Sequence, residues 1–188
     1  MSLAYNLQLA EDAIRHVASL NIISSNKISH RIRAAGGIDN VIGSDQGAVN
    51  PGPAGQGVAD LRNFNSNNVR MIAGRSALSG FGNCGELAMI AAIHMMDAQG
   101  TPIHLMWFEH QDYDHMWATI GVQDEWDTGN LRSWGNEAVW VDPWQTDEGI
   151  AFSLSDFIAG RVRNLNASYL CDSVDRIEAG DVNGIRIH

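Results

Sequence analysis

Leu3, Leu7, Ala10, Ile14 and Val17 recur at steps of three and four, so residues 4–20 are predicted as an amphipathic helix. A shorter helix is predicted over residues 26–35, with Ile28 and Ile32 inward and Gly36–Gly37 as its stop. Across residues 38–68 the periodicity vanishes. The stretch "GSDQGAVNPGPAGQG" within it is rich in Gly, Pro, Asn and Asp and reads as a long loop or cover segment. From Cys84 the helical pattern returns: Leu87, Ile90, Ala91 and the Met95–Met96 pair make an apolar stripe along residues 84–99. Gly100 is the expected C-cap, and Pro102 bars continuation. Three β-rich runs follow, "IHLMWFE" (103–109), "HMWATIGV" (115–122) and "AVWVDPW" (138–144). Their connections suit antiparallel neighbours. Ser155 is predicted to cap a last helix over residues 156–163. A helix followed by a meander predicts an α+β fold in which the Cys84 helix packs on an antiparallel sheet beneath an N-terminal helical layer. With 188 residues and no internal repeat, one domain is expected over residues 1–188, with residues 1–79 as helices and cover and residues 80–188 as core.

Charge narrows the partners. Twelve Lys and Arg stand against 22 Asp and Glu, a formal net charge of −10. Little cation density is then available for a phosphate backbone or an anionic lipid surface, so no nucleic acid and no membrane partner is expected. No apolar run approaches a bilayer-spanning length. The first twenty residues lack a basic leading region and carry Glu11, Asp12 and Arg15 where the apolar part of a signal peptide would lie. A cytoplasmic location is therefore expected, or export by a non-classical route. The two cysteines, Cys84 and Cys171, read as free thiols in such a setting, Cys171 as a small buried apolar residue. A Cys84–Cys171 bridge is the alternative.

Candidate chemistry sits at element ends. Cys84 opens the central helix, His115 opens the second strand and Asp142 closes the third. A helix N-terminus carries roughly half a positive charge and favours a thiolate, the form of cysteine that attacks carbonyls. A nearby imidazole can deliver a proton to a leaving amine, and a carboxylate on its other nitrogen fixes tautomer and orientation. Glycines on both sides of Cys84 suit close approach of a substrate to the main chain. The Cys84 N–H, with a side-chain amide, can hold an oxyanion. Asn83 is the nearest amide; Asn68, Asn67 and Gln56 are weaker candidates.

The strings "GNCGELA", "DHMWATIGV" and "VWVDPW" together resemble the core of the papain-like and transglutaminase-like cysteine enzymes, over residues 80–144. The G-N-C-G-E form also resembles bacterial effector enzymes of that superfamily, which act as proteases, glutamine deamidases or acyl transferases. The resemblance implies a papain-like/transglutaminase-like core with Cys84 as nucleophile, His115 as general base and acid and Asp142 as orienting acid. The pattern departs from papain where a glutamine should precede the cysteine: Leu78 and Ser79 stand there.

Several of these residues admit a plainer role. Glu86 reads as a first-turn helix acid rather than a fourth catalytic group. "EHQDYDH" gathers Glu109, His110, Asp112, Asp114 and His115 but fits no zinc spacing, so no metal and no cofactor is expected. Trp117 and Trp144 flank the triad and are candidates to wall the substrate cleft, with core packing as the competing role. His94 reads as a satisfied histidine on a methionine-bearing core face. The expected activity is thiol-dependent hydrolysis of an amide in a protein or peptide substrate, at a peptide bond or a glutamine side chain. Transglutaminase-type acyl transfer and an inactive binding module of the same fold are the alternatives.

Overall fold

The computed structural model describes residues 1–24, 69–108, 115–146, 148–162 and 182–187. The helix predicted over 26–35, the Gly-rich segment 38–68, the "EHQDYD" turn and Cys171 lie outside them.

Helix α1 (Leu3–Ser19) starts at Ser2, whose hydroxyl accepts the Tyr5 N–H at 3.3 Å. Its buried face is Asn6, Leu9, Ala10, Ala13, Ile14 and Val17, so the face is rotated from the predicted one, with Leu3 and Leu7 at its edge. The polar member of that face, Asn6, donates from Nδ2 to the Glu137 carbonyl at 2.8 Å and ties the helix to the sheet. Helix α2 (Val69–Ser79) was not foreseen. It buries Val69, Ile72, Ala73 and Ser76, a three-and-four spacing that directly follows the polar stretch. Helix α3 (Cys84–Asp97) lies between α1, α2 and the sheet. It is buried on most sides, and fully buried Ala88, Ala91 and Ala92 let its neighbours approach closely. The expected C-cap is corrected: Ala98 caps the helix and Gln99 takes the left-handed conformation at φ 63°. Gly100 meets a different need, since a Cβ there would stand 2.8 Å from both the Met95 carbonyl oxygen and Ile120 Cδ1. His94 is half-buried rather than core; its ring stacks on His16 of α1 at 4.4 Å, and burial followed by His16 lowers its pKa.

Five strands form one antiparallel sheet: β1 (Ile103–Phe108), β2 (Met116–Ile120), β3 (Val139–Asp142), β4 (Ile150–Ser153) and β5 (Val182–Ile187), in the order β4-β3-β2-β1-β5. The first three were predicted; β4 and β5 were not. Both faces are covered. Ile103, Leu105, Ala118, Ile120, Val139 and Val141 pack toward α1 and α3. Met106, Phe108, Trp117, Trp140 and Phe152 form a second core with Trp134 and Leu154. That double covering is why the strands read as nearly continuous apolar runs rather than alternating ones. Helix α4 (Leu154–Ile158) follows β4 directly. Its cap is Ser153, which accepts the Asp156 N–H at 3.3 Å, not Ser155 as predicted. Gly160 at φ 67° breaks off well before residue 163. The architecture is thus α+β with helices packed on an antiparallel sheet. Among the described residues, no helix is long and apolar enough to cross a membrane.

Candidate active site

Three element ends converge. Cys84 is the first residue of α3, His115 immediately precedes β2, and Asp142 is the last residue of β3. The β2–β3 register pairs Ala118 with Val141. Continued by one step, it sets Trp117 opposite Asp142 and leaves His115, two residues earlier on the same face, on the diagonal. The diagonal closes into a contact: His115 Nε2 and Asp142 Oδ2 are 2.7 Å apart, with both side chains buried. Asp142 also forms the turn after the strand. Its Oδ1 accepts the N–H groups of Trp144 at 3.0 Å and Gln145 at 3.1 Å. Three donors therefore converge on one fully buried carboxylate and hold it as an acceptor.

The His115 ring also hydrogen-bonds Cys84. Burial pushes the imidazolium down. The charge and hydrogen bond of Asp142, joined by those of Cys84, outweigh it and raise His115 to about 10. His115 is thus held charged at neutral pH. Its ring stacks on Trp117 at 6.0 Å and 11°, and meets Trp144 at 5.4 Å. A cation over an indole face at that range is favourable.

Local packing sets the approach to Cys84. A Cβ on Gly82 would stand 2.6 Å from Ser76 Oγ and 2.9 Å from Glu86 Cβ. The glycine is needed by the protein's own packing rather than by an approaching substrate. Gly85 has only an ordinary contact, with Met116 Sδ at 3.7 Å. The Asn83 N–H donates to Glu86 Oε2 at 2.8 Å, which is half of a capping box. Glu86 is therefore the buried helix acid that its position predicted. The Asn83 side chain accepts from Ser24 Oγ through Oδ1 at 2.8 Å. Asn83 is thus cap and anchor of the helix start, and its anchoring bond engages the acceptor Oδ1 rather than the amide donor that an oxyanion would use. Asn68, Asn67 and Gln56 lie outside the described residues. The Cys84 N–H, in the first turn of α3, has no intrahelical acceptor.

Trp117 is corrected from cleft wall to core. It has no exposed surface and stacks on Trp140 at 4.2 Å and 9°. Trp144 is half-buried beside His115 and remains a wall of the site. Cys84 is a free thiol and is 4% exposed; His115 is 3% exposed. Among the described residues, no three His, Cys, Asp or Glu side chains are grouped as metal ligands. Ser24, whose hydroxyl accepts the Trp144 Nε1–H at 3.1 Å, belongs to the site and was not foreseen; contacts between distant segments leave no periodic signal.

Comparison with family models, curated proteins and solved structures returns no match.

Proposed function

We propose that this chain is a thiol-dependent amide hydrolase of the papain-like/transglutaminase-like kind, acting on a protein or peptide substrate through an acyl-enzyme. The observation that carries the reading is the Cys84–His115–Asp142 contact chain, built from three separate elements with the histidine charged and oriented. In this mechanism Cys84 Sγ attacks the amide carbonyl, and the Cys84 N–H stabilises the oxyanion. His115 passes its proton to the leaving nitrogen, and the C–N bond breaks. His115 then takes a proton from water, which attacks the thioester and frees the carboxyl group and the thiol. Asp142 keeps the ring in place throughout. An amine in place of water gives acyl transfer by the same steps.

The test is mass spectrometry of a candidate proteome after exposure to the protein, with Cys84→Ala as control. New termini identify proteolysis, a gain of about one mass unit on glutamine identifies deamidation, and crosslinks identify acyl transfer. Products that persist with Cys84→Ala reject the mechanism. A second reading, a module of this architecture that binds without turnover, is favoured by the 4% exposure of Cys84. It predicts unchanged spectra and a thiol with ordinary pH behaviour.

A further inference from the structure

A second set of hydrogen bonds reaches the site from outside the triad. After α1, Ile23 pairs in parallel with Phe81. Ile23 N–H donates to the Gly80 carbonyl at 2.8 Å, and Gly82 N–H donates to the Ile23 carbonyl at 3.1 Å. These bonds fasten the next residue, Ser24, beside the turn that leads into Cys84. Ser24 is fully buried. Its hydroxyl donates to Asn83 Oδ1 at 2.8 Å and accepts the Trp144 indole N–H at 3.1 Å. An indole N–H can only donate, so the serine proton is directed toward Asn83.

Both partners belong to the site. Asn83 is the N-cap of the helix that begins with Cys84. The Trp144 ring packs on His115, and its main-chain N–H binds Asp142. One hydroxyl therefore bridges the start of the nucleophile's helix and the turn that holds the histidine's carboxylate.

We propose that Ser24 is a positioning residue, which fixes the start of α3 against the Asp142–Trp144 turn and so sets the approach of Cys84 to His115. The inference rests on the preceding functional reading. Its physical basis is that reacting groups tolerate little misplacement: about 1 Å can cost two orders of magnitude in rate. Loss of the hydroxyl removes one bond from a buried amide oxygen and one from a half-buried indole, and loosens the tie between the two walls of the site.

The experiment follows Cys84 alkylation by iodoacetamide from pH 5 to 9, with urea unfolding as the stability control. It compares the wild type, Ser24→Ala, Ser24→Thr and Trp144→Phe, the last removing the same hydrogen bond from its other end. Ser24→Ala and Trp144→Phe should each slow alkylation at pH 6 about tenfold. The double variant should be no slower than Ser24→Ala alone, because the bond that Trp144→Phe removes is one of the two lost with the hydroxyl. Ser24→Thr should restore the wild-type profile within about twofold, since it keeps the hydroxyl. If the Ser24→Ala profile superimposes on the wild type while its stability falls, the hydroxyl is a packing feature and the proposal fails. If Ser24→Ala does not fold, Trp144→Phe decides, and a wild-type profile there overturns the proposal. A wild-type protein whose own profile is that of an ordinary thiol overturns the triad reading itself, a result distinct from failure of Ser24 alone.

Discussion

Replacing Asp142 by Asn keeps the size of the side chain and removes its charge, the largest influence that raises His115 against burial. The histidine lies at about 10 in the folded protein against an ordinary value of 6.5. The difference corresponds to about 5 kcal/mol of preference for the charged ring, at about 1.4 kcal/mol per pH unit. Because the folded value is raised, this contribution to stability is complete below pH 6.5 and is lost as pH rises toward 10. With asparagine in place, burial governs, the ring becomes neutral, and that loss disappears. The assay is urea unfolding at steps from pH 6 to 9, in a Cys84→Ser background so that thiol ionisation drops out of the difference. The chain with Asp142 should lose stability relative to Asp142→Asn as pH rises across that range, by up to about 1 kcal/mol per pH unit, since Cys84→Ser also removes the smaller raising influence of the thiol. Parallel curves would refute the argument that Asp142 holds a charged His115.

Further outcomes follow from the same geometry. Cys84→Ala and His115→Ala should each abolish turnover of an identified substrate while circular dichroism reports an intact fold. Trp117→Ala should cost about 3–5 kcal/mol in urea unfolding, as for a large core residue, whereas Trp144→Ala should act mainly on turnover. Gly82→Ala should destabilise by about 1–3 kcal/mol, because its methyl meets Ser76 Oγ and Glu86 Cβ, and the Ser76 hydroxyl is already committed to the Phe81 carbonyl.

Much of this fold was legible because its main elements carry strong local signals. The apolar stripe from Leu87 to Met95 marks α3, and the runs around Leu105, Ala118 and Val141 mark three central strands. Their antiparallel pairing followed from the connections between them. The rotated face of α1 was harder to see, since Asn6 is buried through one specific bond to Glu137 that no periodicity encodes. Helix α2 hid behind the polar stretch before it, and its buried set includes Ser76. Strand β4 is four residues long and runs straight into its own helix cap, so Ser153 and Ser155 competed for one role. At the site, the residue types at element ends pointed to Cys84, His115 and Asp142, and those three do meet. The surrounding roles were not legible. Trp117 and Trp144 look alike in sequence and both lie against the imidazole, but one has no exposed surface and the other is half-buried. The anchoring of Asn83 by Ser24, nearly sixty residues earlier, had no signal in the sequence.

The proposed chemistry depends on a charged His115 beside Cys84, and the pH profile of Cys84 alkylation tests that most directly. Burial of the sulfur scales the rate at every pH, so the shape of the profile carries the information. An ordinary thiol, with a pKa of about 8.5, gains about tenfold in rate per unit from pH 6 to 8. Because His115 stays charged beside the sulfur across that range, Cys84 alkylation should climb far less steeply, and His115→Ala should restore the steep climb. A wild-type profile that climbs tenfold per unit, unchanged by His115→Ala, would contradict the account.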